Sequence, residues 1–228
     1  MPDVTVGAII QARMGSTRLP GKALVDLEGA PMLARVIERS RRARTIAQVV
    51  IATTTKSDDD PIVACGRQIG VDVFRGDEAD VLDRYYQAAR HYGFDVVARI
   101  TSDCPLIDPG LVDEVLQPLL DRASPVDYSA NTLCRTYPRG LDVQACPIGT
   151  IERAWREART SHEREHVFPY VYEHPELFRF FSVSDSVDRS DLRWTVDTAD
   201  DLAFVRKVYR ALGATDFTWR DVLKVSVK

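Results

Sequence analysis

Apolar residues cluster in short runs through the first half of the chain, each followed by a polar stretch and then an amphipathic one. Val4 to Ile10 reads as a buried strand rich in β-branched residues. A polar loop with two glycines runs from Gln11 to Lys22, and after Pro31 the residues Leu33, Val36 and Ile37 recur at helical spacing. The pattern repeats: a strand at Val49–Ile51, a polar turn at Thr53–Asp60, a helix through Ile62, Cys65 and Ile69, and a strand at Val71–Phe74. A helix follows on Leu82, Tyr85, Tyr86 and Ala89, then a strand at Val96–Ile100. Another helix is opened by Asp108 as N-cap and Pro109 as first residue, with Leu111, Val115 and Leu119 on its apolar face.

Strand–helix alternation of this kind predicts an α/β fold: a mostly parallel sheet with helices on both faces. In such sheets ligands bind beyond the carboxyl ends of the strands, which marks the loops after Ile10, Ile51 and Ile100. The second half is less regular. Strands are expected at Val126–Ala130, Leu141–Ala145 and Phe178–Ser182, and helices at Ile151–Ala158 and Glu165–Tyr172. A final helix is expected at Asp200–Leu212. No internal repeat or linker interrupts the chain, so one domain spanning 1–228 is expected, with 126–182 as a substrate-facing insertion.

Composition narrows the function classes. The chain has 228 residues, 45% hydrophobic and 28% charged, with a net charge of −4. That is an ordinary globular composition without the basic face that DNA or RNA binding needs. The four cysteines, Cys65, Cys104, Cys134 and Cys146, form no C-x-x-C pair and fit a reduced, cytoplasmic protein. No run is apolar and long enough to span a bilayer, and the amino terminus lacks a signal-peptide pattern. The run Arg39, Arg41, Arg42, Arg44 reads as a solvated helix end favoured by the helix dipole.

Three segments carry candidate chemistry. Gln11-Ala-Arg-Met-Gly-Ser-Thr-Arg-Leu-Pro-Gly-Lys22 joins glycines, which let backbone N–H groups approach phosphate, to three cations. It is no Walker A loop: Gly15 and Gly21 stand one residue too far apart, and Lys22 is followed by Ala23. Asp103 stands just past a predicted strand, where a carboxylate can hold Mg²⁺ beside phosphates, although Ser, Asp and Pro also make ordinary turns. Asp197 follows a short apolar strand, precedes the helix at Asp200 and could share that metal, or Asp197 or Thr198 could simply cap the helix. Cys104 suits a buried small hydrophobe.

These segments resemble the motifs of the cytidylyltransferases, among them the synthetases of CMP-sialic acid and of CMP-3-deoxy-manno-octulosonate. The first loop is similar to that family's first loop, Thr101–Asp108 to its metal-bearing loop and Arg193–Thr198 to its late aspartate motif. Phe74–Tyr86, Tyr137–Val143 and Glu163–His166 match the subfamily called spore coat polysaccharide biosynthesis protein F. The resemblance implies a three-layer, Rossmann-like nucleotidyltransferase fold that moves CMP from CTP to a sugar or sugar acid, releasing pyrophosphate, in cell-surface or spore-coat polysaccharide synthesis. It implies that Ala12, Arg13, Gly15, Ser16 and Lys22, with Arg75, Asp80 and Arg99, contact the nucleotide, Arg13, Lys22 and Asp103 being catalytic. Mg²⁺ would rest on Asp103 and Asp197. Tyr137, Arg139, Asp142, Glu165 and His166 would face the acceptor. Ser102 departs from the glycine expected before Asp103, and Thr195 and Ala199 stand near the place where the sialic acid enzymes carry a further aspartate. A homodimer through 126–182 fits the prevalence of two-fold assemblies. Two other readings compete: a glycosyltransferase using a preformed nucleotide sugar, disfavoured because Ser102-Asp103-Cys104 holds a single aspartate, and a catalytically silent nucleotide-binding module.

Overall fold

The computed structural model describes residues 4–121, 123, 125–213 and 216–226; Met1–Asp3, on which the reading of the amino terminus partly rests, lie outside it. In chain order the elements are β1 (Val6–Gln11), α1 (Met32–Ser40), β2 (Gln48–Thr54), α2 (Asp60–Gln68), β3 (Val73–Gly76), α3 (Val81–His91), β4 (Val96–Thr101) and α4 (Pro109–Leu120). There follow β5 (Tyr128–Ala130), β6 (Gln144–Pro147), α5 (Ile148–Glu157), α6 (Ser161–His166), α7 (Pro169–Tyr172), β7 (Phe180–Ser182), α8 (Ala199–Leu212) and α9 (Trp219–Ser226).

The strands form one sheet in the order β3-β2-β1-β4-β6-β5-β7. Strands β3, β2, β1 and β4 run parallel, as the alternating pattern requires; β6 runs antiparallel to β4, and β5 and β7 turn back to lie parallel to each other. Most residues of β1, β2 and β4 are apolar and buried on both sides, because helices cover both faces. Ala8, Ile10, Ile51 and Ile100 pack with α1, α4 and α8, while Ile9, Val50 and Val97 pack with α3 and α5. Each fully buried Val, Leu or Ile contributes about 1.5–3 kcal/mol relative to exposure, so these two cores hold the sheet rigid from both sides. The sheet order reverses direction between β1 and β4, which opens a crevice beyond their carboxyl ends.

The second half departs from the expected pattern in four places. The expected strand at Leu141–Ala145 shifts to Gln144–Pro147, where it pairs with β4. The helix expected at Glu165–Tyr172 divides at Val167, whose φ of 74° no continuing helix tolerates, and restarts at Pro169. The apolar segment before Asp197 makes only an isolated bridge, Arg139 to Arg193, and no strand. Helix α8 is not the last: α9 follows and buries Trp219 and Val222.

The arginine run also differs from its expected role. Arg41, Arg42 and Arg44 stay near the surface against Gly70, Asp216 and Asp113. Arg39 is fully buried. Its guanidinium donates to the carbonyls of Ile107 (2.6 Å) and Phe217 (3.0 Å) and lies 4.0 Å from the Phe217 ring centroid. Asp108 is the N-cap of α4, accepting from Leu111 N, and its other oxygen accepts from Trp219 N at 2.7 Å. Both residues tie the carboxyl-terminal helix to α4, a long-range role that local spacing does not reveal.

Candidate active site

A cleft of about 920 Å³ opens beyond the ends of β1 and β4. One wall is the loop from Gln11 to Lys22. The loop leaves β1 with Ala12 N still bonded to Ala52 O, and its middle is pinned by Asp59, which accepts from Met14 N at 2.7 Å. Gly21, at φ 68°, turns the chain back so that its N–H reaches Met14 O. The segment after β2, expected to be a functional loop, thus supports the first loop: Asp59 lies at its end and does not line the cleft.

The turn delivers Lys22 to the centre of the site. Its ammonium donates to Asp103 Oδ2 (3.1 Å), Asp197 Oδ1 (2.6 Å) and Val196 O (3.2 Å), which uses all three of its protons. Asp103 is fixed by Thr101, whose hydroxyl donates to Asp103 Oδ1 at 2.5 Å, and by Val196 N, which donates to the Asp103 carbonyl at 2.9 Å. Asp197 also receives Arg193 at 2.5 Å and Arg18 at 3.2 Å. Capping of α8 falls to Thr198, whose hydroxyl accepts from Asp201 N, with Asp201 completing the capping box. Asp197 is thereby free of capping and faces the cleft.

Electrostatics follow from that geometry. Burial alone would lower the Lys22 ammonium, but the charge of Asp103 and the hydrogen bonds to Asp197 and Asp103 raise it above its ordinary value. Burial alone would raise Asp197, but hydrogen bonds from Lys22 and Arg193 and the charges of Lys22 and Arg18 hold it below the usual carboxylate range. Burial first, then the Asp103 charge, push the Cys104 thiol well above its ordinary value, so Cys104 stays protonated and is no nucleophile. Asp103 and Asp197 are the carboxylates that could hold a hard cation such as Mg²⁺, which takes one or two carboxylates and fills the rest of its shell with phosphate and water; their oxygens here are engaged by Lys22, Arg18 and Arg193. Among the described residues no cluster of three or more His, Cys, Asp or Glu builds a cage for a metal by itself.

The opposite wall comes from the start of α3 and from α6. Asp80 caps α3 by accepting from Asp83 N at 2.8 Å, and its other oxygen accepts from both Arg164 Nε (2.9 Å) and Arg164 Nη2. Arg164 also donates to Trp155 O, so one arginine fastens α6 to α3 and α5. Glu165 and His166 line the cleft beside Arg159 and Ser161, and His166 lies 5.1 Å, ring to ring, from His162. Arg99, on β4, spans the floor and donates to Gln11 Oε1 and Gln144 Oε1.

The cleft thus brings together Ala12, Arg13, Gly15, Ser16, Lys22, Asp80, Arg99, Asp103, Glu165, His166 and Asp197, all singled out in the sequence. Four others fall outside its lining. Arg75 is turned away, donating to Thr54 O, Lys56 O and Asp60. Tyr137 is 5% exposed and packs edge-on against Trp219. Asp142 forms two bonds, 2.6 and 2.8 Å, with Arg135. Arg139 serves through its backbone, which pairs with Leu192 and Trp194. The Tyr137–Val143 segment therefore supports the site. Gly140, at φ 105°, lies so close to Trp194 and Thr195 that an added Cβ would stand 2.6 Å from their backbone, and this approach sets the path of the chain into Asp197. Arg18, Arg84, Arg159 and Arg164 line the cleft without having been singled out as site residues. Arg18 sits inside the Gly-bearing loop, a signal that could have found it; Arg159 and Arg164 reach the cleft only through the packing of α6.

Comparison with known proteins places this geometry. A family model described as cytidylyltransferase matches residues 7–209. Spore coat polysaccharide biosynthesis protein SpsF of Bacillus subtilis is 35% identical over 90% of this chain and 86% of its own. The 3-deoxy-manno-octulosonate cytidylyltransferase of Geobacter sulfurreducens is 40% identical over 52% of this chain and 46% of its own. A solved cytidylyltransferase structure from Leptospira borgpetersenii serovar Hardjo-bovis superposes with a TM-score of 0.93 at 34% identity, covering 98% of this chain and 94% of that one. Fold, sequence and family model agree, and the chain belongs to the cytidylyltransferase family.

Proposed function

We propose that this protein transfers CMP from CTP to a sugar or sugar acid, with release of pyrophosphate, as a Mg²⁺-dependent cytoplasmic enzyme of surface-polysaccharide synthesis. One observation carries the reading: a Gly-bearing loop presents Lys22 to a carboxylate pair, Asp103 and Asp197, at the mouth of β1 and β4. The names of the Bacillus and Geobacter relatives support the nucleotide and the pathway class.

In this reading Arg13 and Lys22 bind the triphosphate and neutralise charge on the departing pyrophosphate, Lys22 exchanging its carboxylate bonds for phosphate oxygens as the nucleotide enters. Asp103 and Asp197 would hold Mg²⁺, which would supply Lewis-acid stabilisation of phosphate charge. An acceptor hydroxyl or phosphate oxygen forms the new bond to the α-phosphorus as the bond to the β-phosphate oxygen breaks, a hydroxyl acceptor giving its proton to water or to the departing pyrophosphate. Glu165 and His166, on the opposite wall, orient the acceptor. Positioning and charge neutralisation account for the rate, and no covalent enzyme intermediate is needed. A homodimer through 126–182 completes the reading and is tested by light scattering.

Thermal melts with CTP, UTP, GTP, ATP and dTTP, with and without Mg²⁺, test the donor. A ligand binding only the folded state adds about 2.7 kcal/mol at a hundredfold excess over its dissociation constant. A Mg²⁺-assisted shift selective for CTP is expected, followed by pyrophosphate release once an acceptor is supplied. A shift with another triphosphate overturns the base assignment. A shift with UDP- or GDP-sugars alone points to the glycosyltransferase.

A further inference from the structure

Arg84 lies in the cleft wall with 3% of its surface exposed. Its guanidinium donates from Nη1 to the Asp77 carbonyl at 2.5 Å, while Nε is buried with no hydrogen-bond partner. Among the described residues it makes no ion pair. The nearby carboxylates are committed elsewhere. Asp59 accepts from Met14 N and from the Thr54 hydroxyl, Asp77 accepts from Ala79 N and Asp80 N, and Asp80 holds Asp83 N and Arg164.

Three further features make this placement costly. Arg84 stands in the first turns of α3, where the helix dipole is positive and a cation is disfavoured. Burial lowers its pKa, and the charge of Arg13 lowers it further, against the opposing effects of Tyr85, Asp59 and Asp77. Its aliphatic stem is seated on Gly76, where an added Cβ would stand 3.0 Å from Arg84 Cγ, so the backbone itself leaves room for this side chain. A buried guanidinium without an anion is one of the more destabilising groups a fold can carry, and such groups gather at functional sites. What Arg84 lacks is an anion delivered from the cleft.

We propose that Arg84 is a phosphate-binding residue, which with Arg13 receives the polyphosphate of the nucleotide. The inference deepens the CTP reading and rests on it for the identity of the ligand. Arginine matches phosphate oxygens with paired donors, and charge-assisted bonds of this kind are stronger than neutral ones.

The test is isothermal titration of CTP, cytidine and inorganic tripolyphosphate, each with Mg²⁺, into wild type, Arg84→Met and Arg84→Lys. Methionine keeps an apolar stem over Gly76 and removes the charge. Affinity for CTP and tripolyphosphate is expected to fall about 10- to 100-fold in Arg84→Met, with cytidine unchanged and Arg84→Lys intermediate. The ligand-free melting temperature of Arg84→Met is expected to equal or exceed that of wild type, because an unpaired buried charge has gone. Unchanged tripolyphosphate affinity with a lowered melting temperature would make Arg84 a structural residue and overturn the assignment. If Arg84→Met fails to fold, Arg84→Lys must still bind tripolyphosphate severalfold more weakly, and equal affinity again overturns it. Wild type that ignores CTP but binds tripolyphosphate through Arg84 would sink the nucleotide reading alone and leave the anion site standing.

Discussion

The two walls of the cleft are built differently. In the wall of Lys22, Asp103 and Asp197, Asp103 stands just past the end of β4 and the other two side chains are drawn to it by loops, each with partners that fix it: Thr101 for Asp103, Arg193 for Asp197, and both carboxylates for Lys22. The wall of Glu165 and His166 rides on α6, a six-residue helix with no buried residue, fastened by Arg164 to Asp80 and Trp155. Rigid placement suits groups that must meet developing charge to within a fraction of an ångström. A lightly anchored segment suits recognition of an acceptor, where adjustment costs little. The contrast separates chemistry from specificity on physical grounds.

Four measurements test that separation. The largest effect is expected from Asp103→Ala, with pyrophosphate release lowered on the order of a hundred- to a thousandfold while the melting temperature stays close to wild type. Full activity in that variant would remove the carboxylate pair from the chemistry. Gly140→Ala comes next: a Cβ 2.6 Å from the Trp194–Thr195 backbone, at positive φ, is expected to destabilise the protein by roughly 1–3 kcal/mol and to lower activity by displacing Asp197. Denaturant melts read the first loss and turnover the second. Unaltered stability would show that the approach is not tight. Arg164→Ala is expected to raise KM for the acceptor about tenfold with kcat little changed, the signature of loosened recognition; a fall in kcat alone would place α6 with the chemistry.

The smallest effect concerns pH. The partners of Asp197 and Asp201 hold both below the ordinary 3.8, so their stabilising contribution is complete above that value and disappears as pH falls through the lower folded-state values. Lys22 is raised above 10.5, so its contribution is present below 10.5 and is lost only as pH rises beyond it. Melts across the acid range are therefore expected to decline below pH 3.8, with a shallower decline in Asp197→Asn. An equal acid slope in that variant would mean that the Asp197 cluster adds nothing to stability.

The parallel half was legible because its strands are buried on both faces and its helices carry a clear 3.6-residue period, so local pattern and fold agree. The Asp108 cap and the cleft beyond β1 and β4 follow from rules of local capping and strand order. The second half was less legible where long-range packing decides. Tyr137 and Arg75 read as polar or aromatic residues of a motif, yet contacts with Trp219 and with Thr54, Lys56 and Asp60 take them out of the cleft. Arg39 looked like its solvated neighbours until Ile107 and Phe217 closed over it. The break at Val167 could have been anticipated from Pro169, which starts helices more readily than it continues them.

The Lys22 bonds have a consequence in time. The ammonium meets carboxylates 81 and 175 positions further along the chain. Contacts of such separation must await closure of the longest loops in the molecule. The site is therefore expected to be among the last features to form, which would make triphosphate binding a probe of completed folding: in refolding from denaturant it is expected to return after the helices of the parallel half, in step with the docking of Asp197.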